Sequence, residues 1–313
     1  MNRPVGRILQ LWLYPVRPLW SFGPGWAAIG GGLAVGGLAL SSEGWLSLLL
    51  AWFLADPLLG MVWDMGLGDT LSAPHRGIWQ RLLKPGLPDM AEPVRWLPYT
   101  QIGSPGHQLA RYLGRLGRWW RVTFWPEAHR EFSTLVAALG LALLLGVILG
   151  RNVLALVLFS IVLSWLAVFS QGRDIARDPA QPATGRQGRL ALVHALGEFG
   201  VPWLVGAMLM GRPSWAVILL GLCYTITYFG LIAPPPDFRL VGGSQAAAVL
   251  LLAGLRYPLT AGAMAILLMP QLGLHVWAAY LLAEQREAFN MYLRAVQPFV
   301  ILSMTMAALT VAS

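Results

Sequence analysis

Long apolar runs govern what this chain can become. They recur near residues 20–40, 45–63, 133–150, 153–170, 190–210, 214–233, 245–256, 258–282 and 292–311, and most approach the roughly 20 residues an α-helix needs to cross a bilayer. The run at 245–256 is the shortest. With 57% hydrophobic and only 12% charged residues, the 313-residue chain lies outside the range of soluble domains. The expected fold is all-α, a polytopic membrane helix bundle of about nine transmembrane helices forming one domain over residues 1–313, with an aqueous or interfacial insertion at about 78–125.

Charge placement predicts the orientation. Arg3, Arg7 and Arg17 precede the first run, and a cluster from Arg76 to Arg130 separates the second from the third. Arg173, Arg177, Arg186 and Arg189 follow the fourth, Arg239 the sixth, and Arg286 and Arg294 the eighth. The opposite connections show only Arg151, Arg212 and Arg256. The positive-inside rule then puts the N-terminus in the cytoplasm and, with an odd number of spans, the C-terminus on the other side of a plasma or inner membrane. The net charge of +8 is spread between apolar runs, where it reads as topology signal and lipid-headgroup contact, so nucleic acid is not an expected partner. The opening MNRPVGRILQLWLYPVRP is basic but lacks the short apolar core and cleavage site of a removable signal peptide. A single cysteine, Cys223, excludes an intramolecular disulfide.

Within the insertion, HQLARYLGRLGRWWR sets Leu109, Leu113, Leu116 and Trp120 on one helical face and Arg111, Arg115 and Arg118 on another. Such a segment lies flat on a membrane, as a plain anchor or as a lid or protein-partner surface. The glycines of GGGLAVGG in the first run indicate close helix packing.

Chemistry is expected where polar groups meet the apolar runs, because a carboxylate in hydrocarbon is costly. Three stretches qualify, all on the predicted cytoplasmic side. ADPLLGMVWDMGLGDTLSAPHRG offers Asp56, Asp64, Asp69, His75 and Arg76; SQGRDIARDP offers Asp174 and Asp178; PPPDFRLVGGSQ offers Asp237 and Arg239. Carboxylates gathered at one mouth of a bundle suit Mg²⁺ and, through it, a diphosphate. Helix-end solvation and interfacial salt bridges explain the same residues without a ligand. His194 and His275 read as packed or hydrogen-bonded side chains rather than ligands of a metal or a chlorin. No HExxH, CxxC or phosphate-binding glycine loop is present.

Several stretches resemble the UbiA superfamily of intramembrane prenyltransferases, and within it the chlorophyll and bacteriochlorophyll synthases. PLWSFGPGWAAIGGGLAVGG is similar to their first helix, GVPWLVGAMLMGRPSW to their LPW-x-x-G-x-x-x-x-G-x-PSW stretch, and YLRAVQPFVILSMTMAAL to their last helix. The resemblance covers nearly the whole chain apart from the insertion. It implies that Asp69, followed by Pro74 and Arg76 at the family spacing, stands for the last aspartate of the first metal motif. Met61, Val62 and Met65 replace the asparagine and the other aspartates, and Asp64 is displaced by one position. In the second motif Asp237 keeps the first aspartate, Arg239 replaces a lysine, and Ser244 stands for the last aspartate.

By this resemblance Asp64, Asp69 and Asp237 are the catalytic metal ligands, holding Mg²⁺, and Arg76, Arg173 and Arg239 bind the diphosphate. The implied activity is transfer of a prenyl group from a prenyl diphosphate to a chlorophyllide or another tetrapyrrole or lipophilic acceptor. With half of the metal site replaced, the alternative is a catalytically silent relative that binds pigment or lipid as an assembly subunit. A transporter is a weaker reading, since no pair of broken helices occupies corresponding halves.

Overall fold

The computed structural model describes residues 22–38, 41–63, 106–107, 113–114, 117, 121, 125–177, 191–233, 237–281 and 286–313. Asp64, Asp69, Arg76 and most of the amphipathic stretch of the insertion lie outside them. Among the described residues there are helices and no strands: α1 (Pro24–Gly36), α2 (Ser42–Trp63), α3 (Trp125–Leu149), α4 (Arg151–Arg177), α5 (Ala191–Met210), α6 (Trp215–Ile232), α7 (Phe238–Gly254), α8 (Pro258–Leu281) and α9 (Arg286–Ala312). The chain divides into two compact units, Met1–Gly66 with Ala138–Ser313, and Leu67–Ala137. The described part of the second is chiefly the opening turns of α3.

Local chemistry fixes several helix boundaries. Ser41 and Ser214 cap α2 and α6 by accepting from the N–H groups of Gly44 and Val217, satisfying donors that a helix start leaves without partners. Glycines at 37, 150 and 211, all at positive φ, follow α1, α3 and α5. α7 starts seven residues before the apolar run at 245–256 begins, because Asp237 is its N-cap: Oδ1 accepts from the N–H of Arg239 at 3.0 Å and of Leu240 at 3.1 Å. Most of a stretch that reads as a polar loop is therefore helix.

The closest packing in the larger unit joins α1 to α5. A Cβ on Gly31 would lie 1.9 Å from the carbonyl oxygen of Trp203, and one on Gly206 would lie 1.8 Å from that of Ala28. Only glycine permits two helix backbones to touch in this way. Trp203, buried beside the contact, donates through Nε1–H to the carbonyl of Val217 at 3.0 Å and so ties α5 to α6. Two further polar contacts extend the bundle: Tyr224 donates to Ser303 Oγ at 3.2 Å, joining α6 to α9, and the hydroxyls of Thr227 and Ser244 meet at 2.8 Å, joining α6 to α7.

The outward face is as apolar as the core. Leu250, Leu259, Ile266 and Met269 are each more than two-thirds exposed, an arrangement that water penalises and lipid does not. Among the described residues, five helical stretches are long and apolar enough to cross a membrane: Ser42–Trp63, Ala191–Met210, Trp215–Ile232, Pro258–Ala278 and Met291–Ala312. The chain is built as an integral membrane protein.

The α1–α5 contact makes a direct prediction. Gly206→Val forces a branched side chain against the Ala28 backbone and is expected to cost at least the roughly 1–3 kcal/mol of an overpacked core. Gly243→Ala, with nothing within 4 Å of its added methyl, is expected to be neutral or stabilising by up to about 1 kcal/mol. Thermal melts followed by size-exclusion chromatography in detergent compare the two.

Candidate functional site

Two helices of the bundle carry a π turn, and each turn carries a buried acid. In α2 the turn spans Leu54–Gly60, contains Pro57, and holds Asp56 at 7% exposure. In α5 it spans Leu196–Gly200, just before Pro202, and holds Glu198 at 1%. A proline within or just beyond a helical turn removes an N–H and crowds the carbonyl four residues back, which for Pro202 is that of Glu198 itself. Widening the turn by one residue relieves that crowding, and such bulges recur at functional sites.

Glu198 has a partner on each oxygen. The hydroxyl of Tyr228 on α6 donates to Oε2 in a very short hydrogen bond. On the other side, His194 Nε2 lies 2.9 Å from Oε1, off the line of a hydrogen bond. The spacing of four residues places the imidazole and carboxylate on one helix face. Glu198 is enclosed while the His194 side chain is 26% exposed, which makes the imidazole the accessible end of the group. Its ring stacks on Trp63 of α2, centroids 5.6 Å apart, and Trp63 donates through Nε1–H to Ser160 Oγ of α4 at 3.0 Å. Gly197 leaves room for that indole, since a Cβ there would lie 1.7 Å from the Trp63 ring.

Apolar rings close the other side. Phe22 packs 4.8 Å from Phe199 and 5.9 Å from Tyr228, and Phe199 stacks on Tyr228 at 5.5 Å. A carboxylate in such surroundings stays charged only when paired and hydrogen-bonded. Phenol, carboxylate and imidazole in contact, with one accessible end, supply the parts of a proton relay.

Of the sequence-predicted residues, Asp237 and Arg239 are described, and both are exposed at the start of α7. Asp237 Oδ1 is engaged with two backbone N–H groups. Ser244 is buried and its hydroxyl meets that of Thr227 and the carbonyls of Leu240 and Val241. Arg173 belongs to the late turns of α4, where the backbone alone is described. The described share of a Mg²⁺ donor set is thus one carboxylate, and the other ligands would be Asp64 and Asp69. Among the described residues no group of three or more His, Cys, Asp or Glu side chains is placed to hold a metal ion. No family model, curated protein or solved structure matches the chain.

Glu198 and Tyr228 are the functional candidates that the search for helix-end acids passes over. The signal is nevertheless in the sequence: Glu198 is the sole acid in the apolar run 190–210, with His194 four residues before it. Tyr228→Phe strips one partner from a buried carboxylate and is expected to destabilise by about 1–3 kcal/mol. Glu198→Leu removes the charge with its need for partners and is expected to cost less than Glu198→Ala, which also leaves a cavity. Denaturant or thermal unfolding of the three variants in one detergent gives the order.

Proposed function

We propose that this chain is an intramembrane prenyltransferase of the UbiA type, moving a prenyl group from a prenyl diphosphate to a tetrapyrrole or other lipophilic acceptor. The observation that supports this reading most is the α1–α5 contact. Two of the three stretches that carry the resemblance, the first helix and residues 200–215, meet backbone against backbone at Gly31 with Trp203 and at Ala28 with Gly206. In the reaction the C1–O bond of the allylic diphosphate breaks, diphosphate leaves with the electron pair, and an acceptor oxygen bonds to C1. Mg²⁺, when held by Asp64, Asp69 and Asp237, would neutralise the leaving group, and Arg76, Arg173 and Arg239 would contact its phosphate oxygens. On this reading α1, α3, α4 and α7 also cross the membrane, giving nine spans with a cytoplasmic N-terminus and an external C-terminus, and the 78–125 insertion lies on the cytoplasmic surface, open to a protein partner.

A second reading is favoured by one observation: Asp237 caps a helix with Oδ1, and Ser244 is bonded within the bundle. Both residues thereby have structural reasons to be where they are. The alternative is a silent relative binding pigment or lipid.

Two experiments separate these. Purified protein in nanodiscs, given Mg²⁺, geranylgeranyl diphosphate and chlorophyllide, is expected to yield esterified pigment by chromatography; no product together with no Mg²⁺-dependent diphosphate binding overturns the transferase. Asp237→Asn keeps a capping oxygen and removes the charge. It is expected to lower turnover by about 10²-fold if the carboxylate serves the diphosphate, and to leave turnover unchanged if Asp237 is only a cap.

A further inference from the structure

The buried stripe of α8 changes character along its length. It begins apolar, with Ala261 and Met264, and continues with Gln271 and His275, at 0% and 5% exposure. Gln245 on α7 and Tyr292 on α9 are buried as well, at 1% and 0%. The carboxamide oxygen and nitrogen of both glutamines, both ring nitrogens of His275 and the Tyr292 hydroxyl are enclosed, and none finds a hydrogen-bond partner among the described residues.

Three of these residues, Gln271, His275 and Tyr292, share one region. α7 and α8 form an antiparallel hairpin, so the first residue of α7, Phe238, stacks on His275 near the far end of α8, centroids 5.4 Å apart. α8 and α9 are antiparallel too: Thr310 donates to Thr260 at 3.2 Å, and His275 lies 5.8 Å from Tyr292, ring to ring. Phe238 meets Tyr292 edge-on at 5.2 Å, closing one wall. Gln271 sits one helical turn from His275 on the same face of α8. Buried polar atoms are almost always satisfied, and a cluster left over at a three-helix seam marks a place that a further hydrogen-bonding group can fill.

The occupant's chemistry follows from the donors and acceptors. None of the four side chains bears an obligatory charge, so a phosphate or an ammonium ion finds no counter-charge on them. Carboxamides and imidazole present donors beside acceptors, so a carbonyl, which only accepts, leaves some unmatched. A hydroxyl matches both. We propose that the α7–α8–α9 seam binds hydroxyl groups, supplied either by ordered water or by the alcohol end of a long-chain lipid alcohol lying along the apolar outer face of α8. The site is separate from the Glu198 group and does not depend on the transferase reading.

The test uses the full chain in nanodiscs and two readouts. Tyr292→Phe removes one hydroxyl, and Gln271→Leu replaces a carboxamide by a side chain of similar size. If these groups are liganded, each variant is expected to melt about 2–4 °C lower; if they are merely unpaired, each melts at the same temperature or higher. A photoactivatable diazirine analogue of geranylgeraniol distinguishes the sources. Labelling of α8 or α9 peptides that unlabelled geranylgeraniol competes away, and that either variant lowers at least tenfold, identifies the alcohol. No competed labelling together with lower melting in both variants identifies water. Unchanged or higher melting without competed labelling overturns the proposal, as does competed labelling that neither variant alters.

Discussion

Contact between the backbones of α1 and α5 is the constraint on which the rest of the larger unit depends. Gly31 and Gly206 let carbonyl groups of one helix meet the Cα surface of the other, and in lipid, where apolar burial supplies no drive between helices, close packing of this kind is a main source of association. From that contact the ties run outward. Trp203 links α5 to α6, and α6 reaches α9 through Tyr224 and Ser303 and α7 through Thr227 and Ser244. The same helix α5 holds Glu198 against Tyr228 and makes room at Gly197 for Trp63. Packing and chemistry therefore share one helix, and a change that moves α5 disturbs both.

Acidic chemistry occupies two kinds of place in this chain. Asp237 is exposed at a helix start, where its Oδ1 accepts from two backbone N–H groups. Glu198 is enclosed within the bundle, between a phenol and an imidazole.

Much of the fold is legible from residue types alone, because apolar run length and helix caps are local properties. The runs at 190–210, 214–233 and 258–282 coincide with α5, α6 and α8 to within a residue or so. α7 is different: Asp237 and the glycines after it resemble a loop, and only the capping geometry reveals a helix that begins there. The π turns are invisible to a periodicity of 3.6, although Pro57 and Pro202 mark their neighbourhoods. His275 shows the limit of the local view. Its packing against Phe238 fits a buried histidine, but its lack of hydrogen-bond partners among the described residues depends on α9 and α7, distant in sequence.

The two π turns also have a consequence for how these helices tolerate changes of length. Each turn stores roughly one residue more than an α-helix of the same rise, so it is a place where the chain can lose a residue and still remain helical. Such a loss is not silent, because everything on one side of the turn rotates by about 100° relative to the other. For α5 that rotation would keep Trp203 facing α6 only by carrying His194 away from the Trp63 face. The extra residue thus acts as a phase setting, holding the glycine face of α5 and its acid–imidazole face at an angle that a regular helix of this sequence does not provide.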